Sequence, residues 1–342
     1  MIDIVIGLRE NFIEHAYIML YSLLEKNKDF FCKIHILSDK LDVRYFVSLE
    51  KKFNCQIKLY TIDISDIEKL DSRHIDVSTF YRLKMDQYLP RDLKKVLYID
   101  TDIVVNGSLK SLIELEFEKE IYAMAVECKI SVKHLSKIGF KNKKYFNAGL
   151  IYFNYQKCLE KDIFKKALNL LMIEDKYDFM DQDVLNIVLE NHVKYISPKW
   201  NYSGFFAVSE LLGEKLIEDE PVIIHFTGRE KPWNYMNINK YSFLYKEEYE
   251  KVHIDDKDIE YLHNTLERVI SLLSSFTSVE DGKEDSMKQL VALLNKHTLK
   301  TMQLLGFNYK EAIGEPLTEV CSNAIRNKLG GLSSKKNVRN KK

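Results

Sequence analysis

Short apolar runs alternate with longer stretches of helical periodicity over residues 1 to 250. Apolar runs of this length are typical of buried strands, and apolar residues three and four apart are typical of helices that bury one face. The pattern predicts strands at 2–7, 33–37, 56–61 and 95–100, and helices at 15–26, 43–53 and 78–88. Strands that alternate with helices indicate an α/β fold with a mostly parallel sheet covered on both faces. Ligands bind such sheets beyond the carboxyl ends of the strands, so residues that end strands are the first candidates for chemistry.

The pattern changes near residue 251. Apolar residues at helical spacing recur over 258–275 and 285–305 without intervening strands, which predicts a helical C-terminal region at 251–325. Residues 326–342 hold seven basic side chains and no acid. We predict a flexible, solvated tail there, with weak contact to an anionic membrane surface as the alternative. The sequence therefore predicts a catalytic domain at 1–250, a helical region and a basic tail.

Composition excludes several classes of protein. The 342 residues hold 51 basic and 51 acidic side chains, and this balance argues against general nucleic-acid binding. Five scattered cysteines without a CxxC pair argue against a disulfide framework and a structural zinc site, and favour a reducing compartment. The first residues lack the pattern of a signal peptide, and no apolar run approaches the roughly 20 residues of a membrane span. We expect a cytoplasmic protein, with a peripheral position at the inner face of the membrane left open.

The strongest chemical signal is a pair of acids at the end of the strand predicted at 95–100. Asp100 and Asp102 lie two residues apart on an extended segment, so their side chains project from the same face. Like charges that close repel each other unless a cation lies between them. Carboxylate oxygens suit Mg²⁺ or Mn²⁺, with phosphate oxygens completing the coordination. Such a pair can also be merely solvated, but its position at the end of a buried strand favours a metal site.

A second apolar run, far downstream, ends in a histidine. The segment Pro-Val-Ile-Ile-His-Phe-Thr-Gly places His225 at the end of the run and Gly228 just after it. A single histidine there is more often structural than a ligand. Gly228 permits close backbone approach to a ligand, and Lys231 supplies positive charge for a phosphate. Together with two carboxylates, a histidine gives a mixed nitrogen and oxygen donor set that favours Mn²⁺ over Mg²⁺.

Three further segments carry polar side chains that suit a ligand but have simpler explanations. Asn147, followed by Ala-Gly, opens an apolar run and in isolation predicts a turn into a strand. The Asp-Gln-Asp run at 181–183 either caps a helix or places an acid and an amide beside a reacting carbon. Arg82 and Lys84, taken alone, are typical surface charges.

Together these segments resemble glycosyltransferase family 8, whose members are retaining enzymes of the GT-A fold. The likeness is to its bacterial lipooligosaccharide galactosyltransferases and, more distantly, to glycogenin. It is carried by HIDVSTFYRLKMDQYLP, KVLYIDTDIVV, YFNAGLIYFN, MDQDVLN and HFTGREKPW. The resemblance implies a Rossmann-like, mixed and mostly parallel sheet flanked by helices, Mn²⁺ (or Mg²⁺) as cofactor, and a UDP-sugar as donor. It also implies transfer of glucose or galactose to a glycan, lipooligosaccharide or glycoprotein acceptor.

The resemblance implies roles for individual residues. Asp100, Asp102 and His225 match the metal ligands of the family. Nucleotide and donor-sugar contacts are matched by Leu8, Asn11, His74, Ile75, Arg82, Asp100, Thr101, Asp102, Glu127, Asn147, Ala148, Gly228 and Lys231. The candidates beside the reacting carbon are Gln182, Asp181 and Asp183. Because an amide is a poor nucleophile, we expect front-face transfer, with Asp181 holding sugar hydroxyls.

One position departs from the family pattern. Where many relatives place an acid against the uracil ring, this chain has Arg9, whose side chain has hydrogen-bond donors only and cannot accept from the uracil N3–H. Either Glu10 accepts that hydrogen bond or base recognition differs. The departure motivates an alternative, a non-catalytic glycan- or nucleotide-binding partner of an active transferase. A metal-dependent phosphohydrolase would need more carboxylate or histidine ligands than this chain aligns.

Overall fold

The computed structural model describes residues 1–68, 70, 76–174, 176–214, 216–228, 231–233 and 239–253. The helices predicted at 258–275 and 285–305, the tail at 326–342, and the site residues His74 and Ile75 lie outside the described residues. The backbone divides into a unit of Met1–Lys231 with Ile238–Leu244 and a unit of Pro232–Asn237 with Tyr245–Lys342. The predicted domain boundary near 250 stays a prediction.

Nine strands form two sheets in the described part of the chain. They are β1 (Ile2–Gly7), β2 (Cys32–Ser38), β3 (Cys55–Thr61), β4 (Lys95–Ile99), β5 (Ile103–Val105), β6 (Ala123–Cys128), β7 (Tyr145–Asn154), β8 (Val193–Tyr195) and β9 (Ile223–His225). The larger sheet has the order β3-β2-β1-β4-β7-β6-β8, and the smaller one pairs β5 with β9. In the larger sheet β7 alone runs antiparallel to its neighbours. The predicted mixed and mostly parallel sheet is confirmed.

The described part of the chain holds ten α-helices. They are α1 (Ile13–Lys26), α2 (Val47–Lys52), α3 (Met85–Tyr88), α4 (Lys110–Ile113), α5 (Val132–Ile138), α6 (Tyr155–Glu160), α7 (Ile163–Ile173), α8 (Met180–Val188), α9 (Gly204–Leu211) and α10 (Ser242–His253). The helix predicted at 78–88 begins instead as a 3₁₀ segment, Val77–Lys84, because valine, serine and threonine at its start are weak α-helix formers. Every described helix is too short or too polar to span a bilayer.

The central strands are buried on both faces. Val96, Leu97, Tyr98 and Ile99 of β4 are all almost fully inaccessible to solvent. Since helices cover both faces of the sheet, these strands are continuous apolar runs and do not alternate. Because the side chains within β4 and β7 are buried, polar side chains become accessible to solvent only at the ends of these strands.

The smaller sheet brings two distant parts of the chain together. In its antiparallel register Ile103 pairs with His225, and Val105 pairs with Ile223. The N–H of Val105 also donates to the Ser22 hydroxyl on α1 at 3.0 Å, which anchors β5 against that helix. His225 is thereby held beside the turn between β4 and β5.

Candidate active site

Three metal-ligating side chains meet where β4 and β9 end. One ligand atom from each of Asp100, Asp102 and His225 lies within 4.8 Å of the others. His225 Nε2 is 3.1 Å from Asp102 Oδ1 and 3.8 Å from Asp100 Oδ2. No second group of three such side chains occurs among the residues that the structure describes. The two strand-end signals in the sequence therefore belong to one site.

The donor set fits a divalent cation. His225 Nδ1 is 2.9 Å from Asn201 Oδ1. An amide oxygen only accepts hydrogen bonds, so Nδ1 carries the proton and the Nε2 lone pair faces the two carboxylates. A lone pair and a carboxylate oxygen at this distance repel each other unless a cation or a proton lies between them. Two carboxylates and one imidazole are ligands that Mn²⁺ accepts.

Gly149 on β7 leaves the space that this cluster occupies. A methyl group added there would lie 2.0 Å from His225 Cε1 and 2.8 Å from Asp100 Oδ2. The Gly149 carbonyl also accepts the N–H of Asp100 at 2.8 Å, which fixes the end of β4. Gly149, two residues after Asn147 in the sequence, is thus required sterically by the side chains of His225 and Asp100.

Arg82 lies beneath the cleft and joins three segments. Its Nη2 is 2.6 Å from Asp100 Oδ1, and its Nε is 3.1 Å from Asp181 Oδ2. Nη1 donates to the Ala148 carbonyl at 2.5 Å. The guanidinium carbon lies 4.3 Å from the centre of the Tyr98 ring. This residue fixes the acid at the end of β4 relative to the start of α8.

The simple interpretation of Arg82 and Lys84 as surface charges is wrong. Their exposed fractions are 3% and 2%. Lys84 Nζ is 2.6 Å from Asp66 Oδ1, an ion pair that makes the burial of its charge tolerable. The sequence predicts both residues on one helical turn. In the structure Arg82 pairs with Asp100 and Asp181, whereas Lys84 pairs with Asp66.

Electrostatics shift the pKa values of Asp181 and Asp102 in opposite directions. Burial raises the pKa of Asp181 to about 6, although the nearby Arg82 charge lowers it. Burial also opposes ionisation of Asp102, but the charge of Lys231 and the contact with His225 outweigh burial and hold the pKa of Asp102 below its usual range. Lys231 Nζ contacts the Asp102 carboxylate and donates to the Phe226 carbonyl at 2.8 Å. Asp102 is therefore an anion at any physiological pH.

The oxygen of the Gln182 amide is fully engaged. Its Oε1 accepts from Asn147 Nδ2 and from the N–H of Ala148, both at 3.0 Å. Its Nε2 donates to the Tyr145 hydroxyl at 3.3 Å. Both lone pairs of the amide oxygen are therefore used inside the protein.

Asp183 lies in the core, and its predicted catalytic role stays a prediction. Its side chain has no exposed surface. It accepts from the Tyr145 hydroxyl at 2.6 Å and from the N–H of Phe179 at 2.9 Å, and it lies 2.8 Å from His134 Nε2. The simpler alternative, a carboxylate that satisfies the start of a helix, describes this residue.

An open cleft lies over the acids at the carboxyl ends of β1 and β4. It is lined by Gly7, Phe12, Asp76, Ser78, Thr79, Arg82, Tyr98, Asp100, Thr101, Asp102 and Lys231. Thr101 and Lys231 line this cleft, and their predicted roles stay predictions. Ala148 is hydrogen-bonded to Arg82 of the lining, whereas Asn147 and its partner Gln182 are not among the lining residues.

The predicted nucleotide residues at the end of β1 are arranged differently from one another. Leu8 is buried and its N–H donates to the Leu37 carbonyl at 3.1 Å, whereas Asn11 is exposed. Arg9 Nε lies 3.5 Å from Asp39 Oδ2. The arginine that departs from the family pattern is therefore paired with a carboxylate from the end of the next strand.

Two other predicted residues, Glu127 and Gly228, are not among the residues that line the cleft. Glu127 is exposed and lies 3.7 Å from Lys144, and it is absent from the lining of the cleft described above. Gly228 has a φ of +82°, a conformation that favours glycine and explains this residue after β9.

The sequence model of the Glycosyl transferase family 8 matches residues 3–237. The chain belongs to this family. It is 34% identical over 259 residues to the lipopolysaccharide 1,2-glucosyltransferase of Escherichia coli, which covers 70% of this chain and 76% of that protein. It is 30% identical over 247 residues to the lipopolysaccharide 1,3-galactosyltransferase of Salmonella typhimurium, covering 68% and 73% of the two chains.

A solved glycosyltransferase structure shares the fold. The galactosyltransferase LgtC, in complex with donor and acceptor sugar analogues, superimposes with a TM-score of 0.64 at 22% identity, covering 75% of this chain and 98% of that one. The predicted family, the GT-A fold and the enzyme class, a hexosyltransferase, are confirmed.

Sequence reasoning missed Asn201. It follows the 3₁₀ turn Pro198–Trp200 and is 1% exposed. A single asparagine after a tryptophan in an irregular segment carries no distinctive signal. Only the packing of this segment against β9 shows that its amide reaches His225.

Proposed function

We propose that this family 8 enzyme moves glucose or galactose from a UDP-sugar to a glycan or glycoconjugate acceptor, with retention at the anomeric carbon and with Mn²⁺ as its preferred cation. The observation that carries the proposal is the cluster of Asp100, Asp102 and His225 with Lys231 at its edge. The relatives named as lipopolysaccharide glucosyl- and galactosyltransferases support the choice of sugars and of a lipopolysaccharide-type acceptor. Such an acceptor would place the enzyme in the cytoplasm at the inner face of the membrane.

In this proposal one side of the cleft binds the cation and the diphosphate, and the other side binds the donor sugar. On one side Asp100, Asp102 and His225 would hold the cation, which supplies Lewis-acid stabilisation of the diphosphate when bound. Lys231 is fixed by the Phe226 carbonyl, so its charge is already in place for the leaving diphosphate. Electrostatic groups that need no rearrangement are usually the largest contribution to catalysis.

The other side of the cleft would hold the donor sugar. Asp181, with a pKa of about 6, is mostly ionised at neutral pH and can accept hydrogen bonds from sugar hydroxyls. Arg82 holds it in place at 3.1 Å. We assign Asn147 and Gln182 to the same sugar because a hydrogen bond from Asn147 Nδ2 to Gln182 Oε1 fixes the two amides relative to each other.

Retention would proceed by front-face transfer. Both lone pairs of Gln182 Oε1 are occupied, and Asp183 is enclosed in the core, so neither is poised as a nucleophile. In this mechanism the acceptor oxygen bonds to the anomeric carbon on the face from which the phosphate oxygen departs. The proton of the acceptor hydroxyl passes to that phosphate oxygen, and the enzyme supplies position and charge.

Replacing Gln182 by alanine should lower kcat about 10- to 100-fold. The variant loses the partner of Asn147 and hence the alignment of the donor sugar, and misplacement by about 1 Å has effects of this size. Single-turnover kinetics would measure the loss, and mass spectrometry of the intact enzyme should show no glycosyl adduct. Gln156→Ala, in a residue that bonds to the Arg91 carbonyl, is the control. A sugar covalently bound to Gln182 in the wild-type enzyme would contradict front-face transfer.

The proposed function is tested with a panel of UDP-sugars. We expect slow release of UDP from one donor in the presence of Mn²⁺, and none with EDTA or in Asp102→Ala. The donor that reacts names the sugar and directs the search for an acceptor. If no UDP-sugar binds or reacts, the proposal is wrong, and the Arg9 departure would point to another nucleotide or to a non-catalytic partner. Release of inorganic phosphate from UDP would indicate a phosphohydrolase instead.

A further inference from the structure

A buried asparagine joins the metal side of the cleft to the sugar side. Asn201 Oδ1 is 2.9 Å from His225 Nδ1, and Asn201 Nδ2 donates to Asn147 Oδ1 at 2.9 Å. Asn147 Nδ2 in turn donates to Gln182 Oε1 at 3.0 Å. Four polar side chains from four separate segments therefore form one continuous series of hydrogen bonds.

A backbone N–H sets the direction of this series. The N–H of Gly149 donates to Asn147 Oδ1 at 3.0 Å. Because a backbone N–H only donates, the oxygen of Asn147 must occupy this position, and it is the same oxygen that meets Asn201. Asn201 must therefore donate to this oxygen through Nδ2. Its own Oδ1 is then left to accept from His225 Nδ1. The orientation of both amides thus follows from the main chain.

We infer that Asn201 is a positioning residue that couples the metal site to the donor sugar. It holds the His225 ring with Nδ1 protonated and the Nε2 lone pair directed at Asp100 and Asp102. Through Asn147 the same amide fixes the side chain against which the sugar is aligned. The inference rests on the proposed function, since it assigns a purpose to Asn201 within that site.

Burial makes the coupling effective. Asn201 and His225 are 1% and 3% exposed, so water does not replace a lost partner without rearrangement. A histidine ligand usually donates its second N–H to a fixed acceptor, and losing that acceptor lowers metal affinity about 10- to 100-fold. Asn201 supplies such an acceptor and is tied to the sugar side at the same time.

Two substitutions separate the two bonds. Asn201→Ala removes both, and we expect Mn²⁺ affinity of the full chain, measured by electron paramagnetic resonance without nucleotide, to fall about 10- to 100-fold. Asn201→Asp still accepts from His225 but cannot donate to Asn147. We expect its Mn²⁺ affinity to stay within about threefold of wild type, while kcat with the UDP-sugar falls about tenfold or more.

The tautomer of His225 provides a readout that a purely structural role would not change. In chain labelled with ¹⁵N-histidine, the signal absent from His225→Asn identifies the ring. It should show Nδ1–H in the wild type and in Asn201→Asp, and a mixture of tautomers in Asn201→Ala. Asn27→Ala is the control, because Asn27 is 2% exposed and bonds to Leu23 and Leu109. Its Mn²⁺ affinity should match the wild type.

The outcomes are distinct. Wild-type Mn²⁺ affinity and an unchanged tautomer in Asn201→Ala would overturn the inference and leave the proposed function intact. If that variant does not fold, Asn201→Asp decides alone, and a wild-type kcat in it would overturn the coupling. If the folded wild-type chain binds no Mn²⁺, the metal dependence of the proposed function is wrong and the inference falls with it.

Discussion

Replacing Asp102 by asparagine should lower kcat/KM for the UDP-sugar about a thousandfold. The substitution keeps the size of the side chain but removes the charge, so the cation loses one of its two anionic ligands. Lewis-acid stabilisation of several kcal/mol is at stake, and about 4 kcal/mol corresponds to a thousandfold in rate. The amide also leaves Lys231 without the carboxylate that it contacts in the folded chain. Steady-state kinetics across a range of Mn²⁺ concentrations would measure the loss.

A surface ion pair provides the control for Asp102→Asn. Glu160 on α6 lies 2.8 Å from Lys157, and both side chains are substantially exposed. Glu160→Gln removes an equal charge and should leave kcat/KM unchanged, because exposed ion pairs contribute little to stability. Treatment of the wild-type enzyme with EDTA should reduce activity to a level similar to that of Asp102→Asn. A loss of less than tenfold in the variant would mean that this carboxylate does not hold the catalytic cation.

Replacing Gly149 by alanine should lower Mn²⁺ affinity about 100-fold and the free energy of unfolding by about 1–3 kcal/mol. The added methyl group would lie 2.0 Å from His225 Cε1 and 2.7 Å from its Nδ1. Neither atom is the end of a flexible chain, since the ring is buried and bonded to Asn201. His225 must therefore move, and a displaced ring no longer faces the two carboxylates. Calorimetric titration with Mn²⁺ and urea unfolding would report the two effects separately.

The control for Gly149→Ala is another glycine with a different constraint. Gly139, at the end of α5, has a φ of +73° and open space around its missing side chain. Gly139→Ala should lower stability by about 1 kcal/mol through the backbone conformation alone, with no change in Mn²⁺ affinity. If Gly149→Ala bound Mn²⁺ as the wild type does, the ring of His225 would be more mobile than its contacts indicate.

The sequence predicts the strands of this fold well because their environment is uniform. The predicted strands at 2–7 and 95–100 agree with β1 and β4 to within one residue, since burial on both faces requires apolar residues at most positions. The predicted helix at 43–53 agrees less well, because the chain there begins as the 3₁₀ segment Val43–Phe46 before α2. Local propensity decides between these helix types, and apolar spacing is similar for both.

Residue type and position in the strand order identify the metal cluster, but tertiary packing decides the rest of the site. Asp181 and Asp183 are equivalent in sequence, yet only Asp181 meets Arg82, whereas Asp183 turns to His134 in the core. Lys84 has the sequence features of a surface residue and is buried against Asp66. Asn201 has no sequence signal, because its two side-chain partners, Asn147 and His225, are distant from it in the chain.

The pairing of β5 with β9 positions both His225, a proposed cation ligand, and Lys231, the proposed phosphate contact. His225 ends β9, and the short segment after it carries Lys231 back to Asp102, so both groups depend on a contact that closes a very long loop. Closing such a loop lowers the conformational entropy of the chain. The contacts that offset this loss form only when β9 pairs with β5. By mass action, any ligand that binds the docked form alone strengthens the docking. Local opening of β9 would therefore displace His225 and Lys231 together. A bound cation would stabilise the pairing of β9 with β5.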